Sequence, residues 1–495
     1  MLFNSYIFIF LFFPVCLIGY YSLLHWQKKE LAQLFLIVMS FWFYAYFQIN
    51  YLLIMIFSIA CNYFFHCMLS RIVSRPAVKG VLALAVAVNL GILFYFKYYD
   101  FFVENINAVF GASFLLRHVV LPLGISFFTF QQIGFLVDTY RGEVKNCKLL
   151  SYVLFVAFFP QLVAGPIVSQ SEILPQFENM TKVSFDWERF SRGFILFILG
   201  MFKKVILADT FGAGVDYGYA NIELLGRMDA VLLLAFYSLQ LYFDFSGYCD
   251  MARGIGGMLG IEIPVNFHSP YKAVNIVDFW KRWHITLSRF FTRYVYIPLG
   301  GNRKGEGRMY LNFLIVFFLS GLWHGAGWNF LVWGMMHGVL YVITRWWQNH
   351  IGKKMTGVSK SKAVTILSRV CLFSYVSIAW VYFRAENVTQ ANRLLSVVWK
   401  GKMQKLSVAM AECFQMDELW YILKVLHMDA MAYSRYILMF VILAVGIYLA
   451  MFGKNAVQMA EKVKAKAVPA VLLGAVFVWC ILSLSQVSTF LYFNF

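Results

Sequence analysis

The chain has 495 residues, of which 61% are hydrophobic and only 13% are charged, and its formal net charge at pH 7 is +18. Soluble globular proteins carry about 25% charged residues, so this composition excludes a soluble protein. Basic loops that face anionic lipid on the cytoplasmic side are normal in membrane proteins, so the positive charge indicates a lipid surface and no nucleic-acid partner.

Repeated apolar runs of roughly twenty residues, long enough to cross a hydrocarbon core of about 30 Å, predict an all-α, polytopic integral membrane protein. Several runs contain glycine or proline, so we expect re-entrant or broken helices surrounded by protein or water. The first run has no basic region before it and is interpreted as a retained span, not a signal peptide. The runs lie near 2–24, 31–48, 51–70, 80–98, 119–137, 149–168, 193–207, 229–245, 309–343, 363–383, 436–453 and 468–489.

Basic residues predict the orientation. Lys28 and Lys29 follow the first run, further basic residues follow the third run at 71–79, and lysines precede the last run at 454–466. By the positive-inside rule these clusters face the cytoplasm, which makes both termini extracytoplasmic.

The same rule makes the polar, amphipathic segment near 384–435 and the tail 490–495 extracytoplasmic. No internal repeat and no separate soluble region is visible, so residues 1–495 are predicted to form a single membrane-embedded domain.

The densest polar stretch is VNIVDFWKRWHITLSRFFTRYVYIPLGGNRKGEGR, residues 274–308. Asn275 with Asp278 three residues later resembles a helix N-terminal capping box, which predicts a helix start. His284 is then expected on an aromatic and basic helix.

Lysine and arginine side chains dominate this predicted helix, and Arg289 and Arg293 lie four residues apart on one face. The helix could lie along the cytoplasmic interface. Alternatively, Lys281, Arg282, Arg289 and Arg293 could line a cavity and bind the phosphates of a coenzyme or the acidic face of a carrier protein.

FLSGLWHGAGWNFLVWGMMHG, residues 318–338, places His324 among glycines inside a long apolar run. An ionisable side chain at that depth is costly and indicates function, and a neutral imidazole is a common general base. The alternative is a core histidine that binds a backbone carbonyl freed at the glycine break. For His337 we prefer a structural role.

YFDFSGYCDMARGIGG, residues 242–257, forms a third polar island. Asp244 and Asp250 could perform acid/base chemistry, or could pair with Arg253 or cap a broken helix. The eight cysteines include no CxxC motif, so neither a zinc site nor a disulfide framework is indicated.

FWKRWHITLSRFFTRYVYIPLGGNRKG, followed forty residues after His284 by LWHGAGWNFLVWGMMHG, resembles the membrane-bound O-acyltransferase family, in particular its bacterial alginate O-acetylase-like branch. FSGYCDMARGIGGMLGI, PVNFHSPY, FFPQLVAGPI and VYFRAENVTQA resemble the same branch. The likeness covers nearly the whole chain.

The resemblance implies a ring of tilted transmembrane helices around a central tunnel in the bacterial cell membrane. An acyl thioester donor, acetyl-CoA or an acyl carrier protein, would enter from the cytoplasm, and a hydroxyl acceptor from the other side. The family's invariant histidine corresponds to His324 and its second motif histidine to His284. No bound cofactor and no metal is implied, and an extracytoplasmic acyltransferase partner protein is expected.

The tail FLYFNF resembles the F-x-Y-x-x-F terminus of a small protein that accompanies the family's D-alanyl transferase, in which the tyrosine is thought to carry the acyl group. Phe490, Tyr492 and Phe495 match that pattern. The alternative is an aromatic belt at the outer membrane interface.

These features together predict an enzyme that moves an acyl group, acetyl in the first hypothesis, from a cytoplasmic thioester to an extracytoplasmic polysaccharide. His324 would be the base, His284 would support the donor side, and Tyr492 would carry the acyl group. The alternatives are D-alanyl transfer to teichoic acid and a non-enzymatic transporter of an acyl or glycan species.

Overall fold

Helices make up every regular element in the part of the chain that the computed structural model describes. Six of these helical segments are long and apolar enough to cross a membrane, which confirms the prediction of an all-α, polytopic membrane protein. The six are Phe8–His25, Ile49–Arg71, Arg75–Phe110, Arg227–Met258, Lys362–Arg384 and Ser434–Met451. The structure describes residues 1–144, 146–180, 183–351, 361–428, 433–462, 467–486 and 490–491.

The first half of the chain alternates long apolar helices with short, interrupted ones. Three π-helical turns, at Phe8–Phe12, Phe94–Tyr98 and Phe202–Ala208, continue without a break into the neighbouring helices. The helices are α1 Phe13–His25, α2 Lys29–Ala45, α3 Ile49–Arg71, α4 Arg75–Leu93, α5 Tyr99–Phe110, α6 Ile125–Tyr140, α7 Leu149–Ala157, α8 Phe159–Leu162, α9 Gln170–Glu178, α10 Trp187–Met201, α11 Asp209–Ala220 and α12 Arg227–Met258.

The second half contains the two stretches with a Trp-His pair and the C-terminal helices. Another π-helical turn, Thr292–Tyr296, extends one short helix, and a 3₁₀ turn, Ser483–Gln486, follows the last one. The helices are α13 Ile276–Trp280, α14 Ile285–Phe291, α15 Glu306–His324, α16 Trp328–His350, α17 Lys362–Arg384, α18 Val388–Lys400, α19 Val408–Glu412, α20 Asp417–Val425, α21 Ser434–Met451, α22 Ala456–Lys462 and α23 Ala467–Leu482.

Helix α12 is the centre of the fold. Its most apolar window is 83% buried, whereas the corresponding windows of the other five candidate spans are 17–39% buried. Helices α10, α11, α17 and α18 pack around it. A helix that is covered on all sides can carry polar side chains, because those side chains meet protein partners and not lipid.

Two glycine pairs set the close approach of α10 and α12. A Cβ atom built on Gly254 would lie 2.5 Å from the carbonyl oxygen of Gly193, and one built on Gly200 would lie 2.7 Å from that of Gly247. Both helices repeat glycine after seven residues, so the pairs lie on one face of each antiparallel helix. Small residues of this kind allow helix backbones to pack closely in membranes.

Helices α15 and α16 form a tight antiparallel hairpin. A Cβ atom on Gly334 would lie 2.5 Å from the carbonyl oxygen of Phe317, and one on Gly321 would lie 2.5 Å from that of Phe330. The run predicted near 309–343 is therefore two helices, divided at the glycine-rich break that the sequence predicted.

The helix predicted to carry His284 is shorter than expected. Asn275 caps its start, accepting the backbone N–H of Asp278 at 2.9 Å, as predicted. The helix ends at Trp280, however, and His284 precedes the next helix with φ +44°. The prediction that His284 lies within a helix was wrong, because the chain turns through the left-handed region there.

The polar island at 242–257 lies inside the continuous helix α12. Asp244 pairs with Lys204, and Asp250 pairs with Lys203. Their lysine partners lie on the π-helical turn after α10 and precede them by 40 and 47 residues. The alternative that these carboxylates cap a broken helix was wrong, because α12 is continuous.

Candidate active site

His324 is the last residue of α15 and is 3% exposed. Its ring makes edge contacts with Trp333 at 5.0 Å and Phe383 at 5.1 Å, measured between ring centroids. The next residue is Gly325, and a Cβ atom at this position would lie 2.1 Å from the ring of Phe330. A residue with a side chain would therefore clash there. The glycine break thus fixes the imidazole at the end of a helix, with aromatic rings beside it.

The carbonyls of the last turn of α15 are capped by the π-helical turn after α4. The Lys97 ammonium donates to the carbonyl oxygens of Trp323 at 2.7 Å and His324 at 3.1 Å. The Tyr98 hydroxyl donates to that of Leu322 at 2.8 Å. A cation at a helix C-terminus is favourable, because the unpaired carbonyls there carry partial negative charge.

His284 is fully buried, and Asn266 anchors it. Asn266 Oδ1 contacts His284 Nδ1 at 3.2 Å and accepts both the backbone N–H of Thr286 at 3.2 Å and its hydroxyl at 2.9 Å. Because a backbone N–H can only donate, this atom is an acceptor, so His284 Nδ1 carries the proton. The contact therefore selects the Nδ1–H tautomer of His284.

The fold brings the two motif histidines together: the ring centroids of His284 and His324 lie 6.4 Å apart. Helix α14 and its π-helical turn then run back along α15, as the stacking of Tyr296 on Phe313 at 4.9 Å shows. Phe313 precedes His324 by eleven residues, or roughly 16 Å along a helix. The residues after His284 therefore lie toward the N-terminal end of α15.

A cavity of about 250 Å³ lies along α14, and we call it the arginine cavity. Thr286, Arg289 and Arg293 line it. Arg289 pairs with Glu172 at 2.7 Å, and Arg293 pairs with the buried Asp138 at 3.0 Å. Two of the four predicted cofactor-binding residues thus share one cavity close to the histidines.

The other two predicted binding residues lie elsewhere. Lys281 is exposed at the end of α13, and Arg282 pairs with Asp278 at 2.8 Å. Neither lines the arginine cavity. Lys281 and Arg282 lie in the turn between α13 and α14, before His284, whereas Arg289 and Arg293 follow it.

A larger cavity, of about 760 Å³, lies beyond the C-terminal end of α15, and we call it the tail cavity. Gly325 and Phe383, which flank His324, line it together with Lys97 and Leu491. The histidine pair therefore lies between the tail cavity and the arginine cavity.

Leu491, in the described part of the C-terminal tail, lines the tail cavity. Phe490 is 1% exposed, and its ring meets that of Tyr248 edge-on at 4.8 Å. The backbone N–H of Leu491 donates to Asp244 at 3.1 Å. Tyr492, the predicted acyl carrier, and Phe495 lie outside the described residues.

His337, for which we prefer a structural role, lies on α16. It is fully buried, and its Nδ1 accepts the indole N–H of Trp280 at 3.3 Å. No cluster of three or more His, Cys, Asp or Glu side chains that could hold a metal ion occurs among the described residues.

Sequence reasoning missed Lys97, Asn266 and Lys204. Lys97 and Lys204 could have been found from the sequence, since each lies inside a predicted apolar run, 80–98 or 193–207, where a charge is costly. The signal for Asn266 was weak, because its neighbours PVNFHSPY only indicate a loop.

Comparisons with known proteins agree with these motifs. The sequence model of MBOAT, the membrane-bound O-acyltransferase family, matches residues 112–383, which include both histidines. The chain is 41% identical to a peptidoglycan O-acetyltransferase of Helicobacter pylori, over 80% of this chain and 79% of that protein. It is 37% identical to a probable alginate O-acetylase of Pseudomonas aeruginosa, over 82% of this chain and 76% of that protein.

A more distant similarity links the chain to a teichoic acid D-alanyltransferase of Bacillus subtilis. The two are 28% identical over 54% of this chain and 70% of that protein. Identity is therefore higher, and spans more of the chain, with the O-acetyltransferases.

Proposed function

The chain belongs to the membrane-bound O-acyltransferase family, and on that premise we propose that it transfers an acetyl group from a cytoplasmic thioester to a hydroxyl of an extracytoplasmic polysaccharide. The observation that carries the proposal is the buried pair His284 and His324, 6.4 Å apart, between two cavities. Family membership favours an enzyme over a transporter.

The arginine cavity is the donor side in this proposal. Helix α9 supports its cytoplasmic assignment: Glu172 near its start pairs with Arg289, and the carbonyl of Glu178 at its end accepts Lys29. Lys29 at the start of α2, Arg71 at the end of α3 and Lys148 just before α7 line a further cavity of about 610 Å³. Basic loops that share one face are expected on the cytoplasmic side.

The tail cavity is the acceptor side. It carries charges of both signs, including Asp100, Glu386 and the ion pair of Asp216 with Arg384 at 2.9 Å. A mixed polar lining suits a hydroxyl-rich polymer or the loop of an extracytoplasmic partner protein. Under this assignment both chain termini are extracytoplasmic.

Acetyl is favoured over D-alanyl because the relatives that match about 80% of the chain are O-acetyltransferases. The donor is acetyl-CoA or an acyl carrier protein, and the cationic Arg289 side chain suits the phosphate or carboxylate groups that either carries.

The transfer proceeds in two steps, through Tyr492. His324 takes the proton of the Tyr492 hydroxyl as its oxygen attacks the thioester carbonyl. The C–S bond breaks, the leaving thiolate takes the proton from the imidazolium, and an acyl-tyrosine ester forms. A polymer hydroxyl then attacks this ester, directly or through a partner protein, and the tyrosine regains its proton.

Two properties support the relay. A phenol has a reference pKa near 10 and is a better leaving group than a sugar hydroxyl, so its ester passes the acyl group on readily. Leu491, which precedes Tyr492 in the chain, lines the same cavity as Phe383, and the Phe383 ring touches His324.

His324→Ala tests the base. We expect polymer acylation to fall by about 10²–10⁴-fold at unchanged protein level, because the general base is lost. His337→Ala is the matched control, since it removes a second buried imidazole outside both cavities and is expected to keep most of the acylation. Mass spectrometry of surface polysaccharide measures both. Equal acylation in the two variants would contradict the role of His324.

Tyr492→Phe separates the relay from an aromatic anchor, because it keeps the ring and removes only the hydroxyl. We expect acylation to be lost and an acyl adduct to be absent from the C-terminal peptide of the variant, while the wild-type peptide carries the adduct. Undiminished acylation by Tyr492→Phe would leave the tail as an anchor at the outer interface.

A further inference from the structure

Lys204 is a buried cation that the transfer chemistry does not use. It is 1% exposed, and its ammonium lies 2.7 Å from Asp209 Oδ1 and 2.8 Å from Asp244 Oδ1. The same ammonium lies 4.8 Å from the ring centroid of Phe490. One lysine of the core thus joins two helices to the C-terminal tail.

Asp244 contacts the tail with its second oxygen. Oδ1 pairs with Lys204, and Oδ2 accepts the backbone N–H of Leu491 at 3.1 Å. Lys204 and Asp244 therefore hold two successive tail residues, one by its ring and one by its backbone.

We propose that Lys204 and Asp244 form a latch that seats the tail at Phe490 and Leu491 and so positions the tail in the tail cavity for acyl transfer. This latch rests on the proposed relay, because seating matters to catalysis only if the tail takes part in it. Lys204 and Asp244 are positioning residues, since they act through the tail.

The charge balance of the cluster explains why the tail belongs there. Two carboxylates, Asp209 and Asp244, share the single charge of Lys204. Buried ionised groups need additional hydrogen bonds to offset their desolvation. The N–H of Leu491 supplies one to Asp244, and the Phe490 ring lies against the Lys204 ammonium as a cation–π partner.

The latch also predicts which features of the tail are required. A backbone N–H is offered by any residue except proline, so position 491 should tolerate most side chains. A cation–π contact needs an aromatic ring, so position 490 should tolerate only aromatic side chains. Leu491→Pro should therefore unseat the tail and lower acylation, whereas Leu491→Ala should do neither.

The neighbouring pair Lys203 and Asp250 provides a matched control. Its ammonium and carboxylate lie 2.6 Å apart on the same two helical segments, at 13% and 12% side-chain exposure. Lys203 lies over the ring of Tyr242 at 5.7 Å, and not over the tail. Neutralising this pair perturbs the same helix interface without touching Phe490 or Leu491.

The experiment measures access to the tail. Leu491→Cys keeps the backbone N–H and introduces a thiol, whose reaction rate with a membrane-impermeant maleimide is followed by peptide-resolved mass spectrometry. Adding Asp244→Asn or Lys204→Met should raise the rate about tenfold, the equivalent of one charge-assisted hydrogen bond. Adding Asp250→Asn should leave it unchanged.

Two results would overturn the latch. One is an unchanged labelling rate in Asp244→Asn at normal protein level. The other is an equal rise in Asp250→Asn, which would mean general loosening of the helix interface.

Maleimide labelling of the thiol in Leu491→Cys requires no acyl transfer. The labelling experiment therefore tests the latch, and the acylation of Tyr492→Phe tests the relay, independently of each other. If Asp244→Asn exposes the thiol while Tyr492→Phe remains active, Lys204 and Asp244 do seat the tail, but the relay fails and with it the role of that seating in acyl transfer. If Tyr492→Phe is inactive while Asp244→Asn labels and acylates like the parent protein, the relay stands and the latch fails.

Discussion

At the scale of single residues, Lys97 shows how a charge can be kept deep in an apolar protein. Its ammonium nitrogen donates to the carbonyl oxygens of Trp323 at 2.7 Å and His324 at 3.1 Å, and to the Ser126 hydroxyl at 3.4 Å. The partial negative charge of the α15 terminus takes the place of a carboxylate partner. Lys97 thereby holds the backbone of His324 through its carbonyl oxygen.

Lys97→Met should lower the thermal midpoint of the purified protein in detergent and reduce acylation. The substitution keeps the apolar stem but removes charge-assisted hydrogen bonds, each worth about 1.5–3 kcal/mol. Tyr98→Phe is the control: it removes one neutral hydrogen bond, to Leu322, on the same turn. We expect Tyr98→Phe to have the smaller effect on both measurements, and the reverse order would argue against the capping role.

His284 is a second residue whose local geometry matters. Its φ of +44° is uncommon for a residue with a side chain, and such a conformation costs of order 1–3 kcal/mol. Asn266 offsets part of that cost by binding His284 and the two residues after it: its side chain contacts His284 and Thr286, and its backbone carbonyl accepts the N–H of Ile285. The turn at His284 thus places the imidazole between the two cavities.

At the scale of helices, the packing of α10 against α12 decides whether the buried lysines meet their carboxylates. The glycine pairs Gly193 with Gly254 and Gly200 with Gly247 allow the two backbones to touch. Lys203 and Lys204 follow directly after α10, so the same close approach brings them to Asp250 and Asp244.

Gly254→Ala should separate the helices and destabilise the protein by about 1–3 kcal/mol, the usual cost of overpacking. Gly257→Ala, one turn later on α12, is the matched control, because a Cβ atom there would meet its nearest neighbour at an ordinary 3.7 Å. Thermal unfolding of the two variants in detergent measures the difference. Similar midpoints would contradict the interface described here.

Helices were predictable from the sequence where local signals set them. The apolar runs, the Asn275 cap and the glycine break after His324 all follow from residues within a few positions. The end of α13 at Trp280 was not predictable, since neither glycine nor proline marks the turn into His284. Its cause is a contact with Asn266, eighteen residues away, which local patterns do not contain.

At the scale of the whole molecule, the arginine cavity and the tail cavity lie on either side of the histidine pair, and the proposed reaction takes its donor from the first and its acceptor from the second. His324 could be singled out from the sequence because an ionisable residue stands out in an apolar run, and His284 because it matches the second motif histidine of the family. Their 6.4 Å separation could not, and neither could the ion pairs of Arg289 and Arg293. These depend on the long-range packing of α6, α9 and α14.

The two arginines should respond differently to charge reversal. Arg289 is about half exposed and pairs with a partly exposed Glu172, so Arg289→Glu should leave the fold intact and weaken donor use. Arg293→Glu would face the buried Asp138 with a like charge and should lower stability. Steady-state kinetics with the purified protein should show a raised donor KM and an unchanged acceptor KM for Arg289→Glu. A change confined to the acceptor KM would reverse the assignment of the cavities.

The seated tail has a kinetic consequence for an acyl relay. A nucleophile that is part of the polypeptide is present at a local concentration on the order of millimolar, whatever the amount of enzyme or polymer. Formation of the acyl ester should therefore be first order in enzyme–donor complex and zero order in polysaccharide. Rapid mixing with donor alone should give a burst of one thiol released per chain, before any polymer is added.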